Sequence, residues 1–258
     1  MTTTPRKGYA RAADIPADIL LSLSRGEIAS ATLSESLAID QRVLFRAVFP
    51  EMTQAQAGEF ELLCDLGILK RMTAAGAWLW QAGGHEFWER CRSHDSDTVR
   101  GWACFMVGAQ PNLSQTDRLS KLQSLADDVH FGVREWAWMA VRPHLAADLD
   151  VAIGLLADWT RSPSERLRRF ACEVLRPRGV WCAHISALKK EPWRMLPILS
   201  ALNRDPSVYV QDSVANWLND AAKDQPDWVR ELCEQWQQQA PLDAATQRIC
   251  KRALRSLS

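Results

Sequence analysis

The chain has 258 residues with 31 basic and 31 acidic side chains, so its formal net charge is zero and no global field attracts polyanions. Hydrophobic residues make up 47% of the chain, which is ordinary for a globular protein. The segment from Met1 to Arg11 lacks the apolar core of a signal peptide. No stretch approaches the roughly 18 apolar residues of a membrane span. We therefore expect neither export nor membrane insertion.

In chain order, we expect a disordered tail over residues 1–12. The helices predicted for residues 13–94 are irregular and interrupted by glycine, which is typical of a cap at the end of a repeat array. From residue 95 to 258 the helices come in regular pairs, and prolines end several of them. We predict that the cap and the repeats form a single compact unit.

Five stretches in this second region share one pattern. With two exceptions, Ser213 and Thr246, apolar residues stand at the first position and at three, four, seven and eight residues on, which is the buried stripe of an amphipathic helix. The starting residues are 34, 34, 43 and 36 positions apart, the period of HEAT or armadillo repeats. The sequence therefore predicts an all-α fold, an α-solenoid of HEAT-like paired-helix repeats with an irregular helical N-terminal cap. The stretches start at Val99, Val133, Leu167, Val210 and Thr246.

Polar residues recur on the other side of these helices, at positions two, six and ten after each start. In a solenoid, one helix of every pair lines a continuous concave surface, so these side chains are expected to form a charged column there. A solvated helix face with pairs such as Arg169–Glu173 explains the same positions, and position alone does not decide between the two. The column comprises Glu135, Arg169, Glu173, Asp212, Asn216 and Asp220.

A local excess of basic residues lies between Arg161 and Arg194. This segment holds nine lysines and arginines against three glutamates, a net charge of +6 over 34 residues. Such a patch is suited to binding phosphates. Solvated charge explains a patch of this size equally well.

The cysteines and histidines do not predict a metal site. None of the seven cysteines forms a C-x-x-C pair, a pattern typical of reduced thiols in a cytosolic protein. Cys182 and His184 lie close in sequence, but no second pair of ligands at zinc spacing accompanies them. We expect no metal and no other cofactor.

Twelve tryptophans are unusual for this length. Trp102, Trp136 and Trp217 lie on the predicted buried stripes and are expected in the core. Trp138 and Trp181 lie off the stripes, beside basic residues, where an aromatic ring can stack on a nucleobase or a sugar. Packing between helices is the alternative role for each ring.

Three ordered motifs, one in each of three successive repeats, resemble the AlkC branch of the AlkC/AlkD alkylbase DNA glycosylases. The first is VREWAW from Val133, continuing to VRPHL, and the second is RRFACE from Arg168, leading into RPRGVW. The third is YVQDSVANWLND from Tyr209. The resemblance covers about residues 130–255. Some members of this family carry an immunoglobulin-like domain after the repeats, and we expect none in this chain.

The resemblance implies a monofunctional DNA glycosylase that removes cationic N-alkylated bases such as 3-methyladenine and 3-methylcytosine. These enzymes grip duplex DNA in the concave face of the solenoid without fully flipping the base. The implied catalytic carboxylates are Glu173, Asp220 and Glu135, and the implied stacking residues are Trp181 and Trp138. The implied DNA-binding residues are Arg169, Arg134, Arg166, Arg168, Arg178 and Asn216.

The expected partner is double-stranded DNA carrying alkylated bases. We expect a monomer in the cytoplasm, associated with the nucleoid when it engages DNA. Two alternatives remain open: a HEAT-repeat protein that binds DNA structures with little glycosylase activity, and a protein-interaction scaffold. The scaffold predicts an apolar groove, whereas the polar column and the basic patch predict a charged one.

Overall fold

A computed structural model describes residues 6–257, and these residues form helices with no β-strand among them. This confirms the all-α prediction. The helices are α1 (Ala17–Ser24), α2 (Leu33–Ala38), α3 (Gln41–Val48), α4 (Gln54–Leu63), α5 (Ile68–Arg92), α6 (Asp97–Ala109), α7 (Gln115–Ala126), α8 (Phe131–Ala147), α9 (Leu149–Trp159), α10 (Glu165–Glu173), α11 (Ser186–Lys190), α12 (Leu196–Leu202), α13 (Val208–Ala221), α14 (Pro226–Gln239) and α15 (Ala244–Ala253), with short 3-10 helices at Ala12–Asp14 and Pro192–Met195.

The chain divides into two compact units. The N-terminal unit contains the residues up to Leu113 together with Asp128–Ala140, and the C-terminal unit contains Ser114–Asp127 together with Val141 onward. The sequence-based division, a cap over residues 13–94 and repeats over 95–258 in a single compact unit, stays a prediction. The first two regular repeat helices, α6 and the start of α8, group with the irregular helices rather than with the later repeats.

An aromatic cluster forms part of the core of the N-terminal unit. Phe45 stacks on Phe60 at a centroid distance of 4.0 Å, and the edge of Trp102 meets Phe60 at 5.4 Å. Helix α5 packs closely on α6, since a β-carbon at Gly76 would come within 2.5 Å of the backbone of Phe105. Helix α5 is interrupted at Gly84, whose φ of +52° favours glycine.

The expected disordered tail is held to α2 where the structure describes it. Arg6 donates to the fully buried carboxylate of Glu35 at 2.8 Å, and the backbone N–H of Tyr9 donates to the same oxygen at 3.0 Å. The hydroxyl of Thr32 donates to the carbonyl of Tyr9 at 2.6 Å. A buried carboxylate requires such partners, which is why residues 6–12 take part in the fold. Residues 1–5 of the expected tail lie outside the described residues.

The five predicted stripes are buried in both units. Each of their residues is buried except Leu254, which is half-buried. Trp217 also shows how successive repeat helices are joined, because its indole N–H donates to the carbonyl of Leu175 at 3.0 Å. The repeat prediction is therefore confirmed at the level of individual side chains.

A polar signature marks the same five repeats, at the residue directly after each start. In every case this side chain donates to the backbone carbonyl six residues earlier, at 2.6 to 3.2 Å. The bond ties the first turn of the helix to the loop that precedes it, within one repeat. The donors are Arg100, Arg134, Arg168, Gln211 and Gln247, and their acceptors are His94, Asp128, Ser162, Asp205 and Pro241.

Candidate active site

Two of the predicted carboxylates meet in the C-terminal unit, on a single guanidinium. Arg176, three residues beyond Glu173 at the end of α10, donates to Glu173 Oε1 at 2.8 Å. The same side chain donates through Nε to Oδ2 of Asp220, on α13, at 2.9 Å. The sequence therefore brings Glu173 and Asp220, from successive repeats, to one bridging cation. We refer to Glu173 and Asp220 as the carboxylate pair.

The remaining contacts of the carboxylate pair complete a charged network. The Ser213 hydroxyl donates to Glu173 Oε2 at 2.6 Å, and Arg169 lies 3.6 Å from Glu173 Oε1. Burial alone would raise the pKa of Glu173, but the charges of Arg169 and Arg176 and the Ser213 hydroxyl hold that pKa below its ordinary value. Glu173 is therefore an anion at neutral pH. Lys223 lies 3.5 Å from Oδ1 of Asp220.

The carboxylate pair is buried, and this corrects the expectation that it lies on an open face. The Glu173 and Asp220 side chains are only 6% and 7% exposed. At 100° per residue, position ten of a repeat lies about 20° from position three of the stripe, so Asp220 borders the core. Glu173 lies near the end of α10, where Arg176 and α13 cover it.

Trp181 lies in a loop between α10 and α11, which we call the 177–185 loop. The backbone N–H of Ile185 donates to the carbonyl of Pro177 at 3.0 Å and closes the loop. Trp181 is 50% exposed and has a φ of +61°, a left-handed conformation that is rare for any residue other than glycine. The exposure leaves the ring accessible, and its stacking role stays a prediction; periodicity could not predict its strained backbone.

Trp138 and Glu135 belong to the N-terminal unit, and their contacts correct the prediction for Trp138. The Trp138 ring is 2% exposed, and its indole N–H donates to Glu135 Oε2 at 2.7 Å. A ring this deeply buried packs in the core and has no face free for a base. Position five lies about 60° beyond the edge of the stripe, a gap that a large side chain bridges.

The arginines predicted to bind DNA are engaged within the protein. Arg134 and Arg168 form the repeat signature described above, and Arg168 also holds Asp205 through two bonds of 2.6 and 3.0 Å. Arg178 pairs with Asp224 at 3.0 Å, and Arg166 donates to the carbonyl of Asp127 at 3.0 Å. These partners lie within the protein, and the role of the four arginines as DNA ligands stays a prediction. The acidic partners, such as Asp205 and Asp224, lie outside the segment from Arg161 to Arg194. The net charge counted for that segment therefore overstates the positive charge of the patch.

Two other predicted DNA-binding residues also have partners in the C-terminal unit. The guanidinium of Arg169 lies 5.0 Å from the centroid of the Tyr209 ring, in addition to its contact with Glu173. The side-chain oxygen of Asn216 accepts from Arg255 at 2.9 Å.

Sequence reasoning missed Arg176 and Ser213, the two residues that orient the carboxylate pair. Both residues stand in the family motifs, but the sequence analysis assigned neither of them a role at the site. Their signals are a basic residue three positions after Glu173 and a hydroxyl on an otherwise apolar stripe.

Among residues 6–257, no group of three or more histidine, cysteine or acidic side chains is arranged to bind a metal ion. None of the helices described is both long enough and apolar enough to cross a membrane.

A family model described as DNA alkylation repair enzyme matches residues 103–252, more than half of the chain. The chain belongs to this family. The matched segment contains the carboxylate pair, Arg176 and the 177–185 loop, so the candidate site lies within the part that defines membership.

Several known proteins are similar to this chain in sequence or in fold, over different lengths. YhaZ of Bacillus subtilis is 43% identical over 118 residues, which are 46% of this chain and 32% of YhaZ. The chain is similar in fold to the Pseudomonas fluorescens alkylpurine DNA glycosylase AlkC bound to DNA containing an abasic site analog, with a TM-score of 0.67, 24% identity, and coverage of 94% of this chain and 65% of AlkC. It also resembles Streptococcus mutans AlkD2, with a TM-score of 0.60, 21% identity, and coverage of 78% and 96%. The chain thus spans less than two thirds of YhaZ and of AlkC.

Proposed function

We propose that this protein is a DNA glycosylase that excises cationic N-alkylated bases, such as 3-methyladenine and 3-methylcytosine, from duplex DNA. The observation that carries the proposal is the carboxylate pair, two acidic side chains from successive repeats held on Arg176. Membership of the DNA alkylation repair enzyme family and the AlkC fold support the same conclusion.

The chemistry of the substrate explains why carboxylates suffice. A base methylated at N3 carries a positive charge, so it leaves with the electron pair of the N-glycosidic bond and becomes neutral without a general acid. The deoxyribose then develops oxocarbenium character at C1′, and water adds its oxygen there and gives up a proton. Glu173 and Asp220 would stabilise this cationic sugar, and one of them would accept the proton.

Arg176 and Ser213 make the carboxylates suitable for this role. Their hydrogen bonds fix the orientation of Glu173, so the charge needs no reorganisation as the transition state forms. The lowered pKa of Glu173 keeps it anionic at neutral pH. We assign Glu135 as a third contributing carboxylate, and Trp181 as the ring that lies against the deoxyribose or the cationic base, which is worth about 1–2 kcal/mol. Like the base preference, these roles are proposals.

The partners and location follow from this activity. We propose duplex DNA carrying alkylated bases as the substrate, a monomeric enzyme, and action in the cytoplasm at the nucleoid. The proposed DNA contacts are Arg169 and Asn216, which lie on the two helices that carry the carboxylate pair, α10 and α13.

The test is release of free base from methylated duplex DNA, with unmethylated duplex as the control. We expect wild-type protein to release 3-methyladenine and the Glu173→Gln variant to release it about 10²-fold more slowly. DNA binding without base release would instead indicate a DNA-structure-binding protein. The absence of salt-dependent binding to duplex DNA would favour a protein-interaction scaffold.

A further inference from the structure

Arg142 is a buried cation whose guanidinium donates to three backbone carbonyls. It belongs to the part of α8 in the C-terminal unit and is 3% exposed. Nη1 donates to the carbonyl of Val174 at 2.7 Å, and Nη2 donates to the carbonyls of Arg176 at 2.7 Å and Ala183 at 3.1 Å. These three bonds all go to backbone carbonyls around the 177–185 loop.

The positions of the three carbonyls in the chain indicate that this guanidinium holds the loop. Val174 and Arg176 lie on the chain entering the loop, and Ala183 lies on the chain leaving it. One planar group therefore fastens both ends of the loop, with the Ile185–Pro177 bond beside it. Burial lowers the pKa of Arg142, a cost that its hydrogen bonds offset. A charge retained at this depth requires such compensation.

Gly179 gives a second, independent contact inside the loop. A β-carbon at this residue would lie 3.0 Å from Cζ of Arg142 and 3.1 Å from Nε and Nη2. The loop backbone thus rests directly on the guanidinium, which three hydrogen bonds prevent from moving away. Two residues further on, Trp181 holds its left-handed conformation with half of its surface exposed. A strained residue persists only where its surroundings hold it, and Arg142 supplies that support from beneath the loop.

We propose that Arg142 is a positioning residue for base excision: it holds the 177–185 loop in the conformation that presents Trp181 to the damaged nucleotide. This inference rests on the proposed function, since Trp181 matters only if the protein acts on DNA. Arg142 itself touches no substrate. Its effect passes through the loop, and the geometry of three divergent carbonyls requires the planar fork of arginine.

The experiment is a double-mutant cycle between the loop support and Trp181. Arg142→Lys keeps the charge but cannot span the three carbonyls, and Gly179→Ala pushes on the guanidinium without removing it. Each is made in the Trp181 and the Trp181→Ala backgrounds, and single-turnover release of 3-methyladenine is measured at saturating protein. We expect each to slow release about tenfold when Trp181 is present and less than about twofold when it is absent. Arg118→Lys is the control, because Arg118 is equally buried, at 5% exposure, on α7 of the same unit.

Hydrogen exchange of residues 177–185 provides a readout that does not depend on catalysis. Arg142→Lys and Gly179→Ala should speed exchange in this segment, whereas Arg118→Lys should not. Equal losses of rate in both backgrounds, or unchanged exchange in the loop, would overturn the positioning role. Wild-type protein that releases no base would refute the proposed function, and with it the role in excision, while exchange would still show whether Arg142 holds the loop.

Discussion

The hydroxyl of Ser213 donates to Oε2 of Glu173 across 2.6 Å, so a side chain on the buried stripe of one repeat orients a carboxylate of the preceding repeat. Ser213 is 2% exposed, and water is therefore a poor substitute for it. Ser213 therefore has two roles: its position on the helix belongs to the core, and its hydroxyl group belongs to the candidate site.

Ser213→Ala should shift the acidic limb of the pH–rate profile to higher pH. Removing the hydroxyl takes away one group that lowers the pKa of Glu173. The proposed reaction needs the anion, which is present above that pKa and is lost as pH falls through it. The measurement is single-turnover base release against pH. Ser207→Ala, which removes a hydroxyl bonded to the exposed Glu165, should leave the limb in place, and an unmoved limb in Ser213→Ala would separate Ser213 from the chemistry.

Glu173→Gln and Asp220→Asn should each slow base release by about 10²-fold. Each should also lower the free energy of unfolding by about 3–5 kcal/mol, because Arg176, whose side chain is 14% exposed, loses one of its two anionic partners. Rates are therefore compared well below the unfolding midpoint of each variant.

Glu165→Gln is the matched control for the carboxylate pair, since Glu165 lies exposed at the start of α10. It should leave both rate and stability near wild type. Full activity in both Glu173→Gln and Asp220→Asn would remove the pair from the mechanism.

Trp181→Ala should slow base release about tenfold while shifting the thermal midpoint by only a few degrees, because half of the ring is exposed. Trp181→Gly should be more stable than Trp181→Ala by roughly 1 kcal/mol, since glycine adopts a φ of +61° without strain. Trp136→Ala, at 4% exposure, should instead cost about 3–5 kcal/mol. Unfolding of Trp181→Ala would identify this ring as core.

Arg168→Gln should destabilise the protein by about 3 kcal/mol and leave the salt dependence of DNA binding unchanged. Its guanidinium holds Asp205, whose side chain is 4% exposed, and two loop carbonyls, so four of its five N–H donors are engaged within the protein. Arg161→Gln, which removes an exposed pair with Asp158, should change stability by less than about 0.5 kcal/mol. A flatter salt dependence in Arg168→Gln would restore its role as a DNA ligand.

The sequence predicts the repeats well because a buried stripe is a local property of each helix. The stripe residues of all five repeats, from Val99 to Leu254, are buried, except Leu254, which is half-buried. The exposure of polar residues is not local. Asp220 borders the stripe on its own helix, and Glu173 is covered by Arg176 from the chain that follows.

Charge counting fails for the same reason. Asp205 and Asp224 lie distant in sequence from the arginines that they neutralise, and only the packing of successive repeats brings them together. Sequence periodicity could not predict the left-handed conformation of Trp181, because we propose that this conformation depends on Arg142 in an earlier helix.

The bond from each position-one side chain to the carbonyl six residues earlier is closed within its own repeat, so the register of one repeat does not depend on how far away the next begins. The interval from Leu167 to Val210 is nine residues longer than the two before it (43 against 34), and the 177–185 loop, itself nine residues, falls inside that interval. A repeat protein of this kind can accept an insertion between two repeats. The insertion can bring new functional side chains to the surface while the repeat helices keep their register.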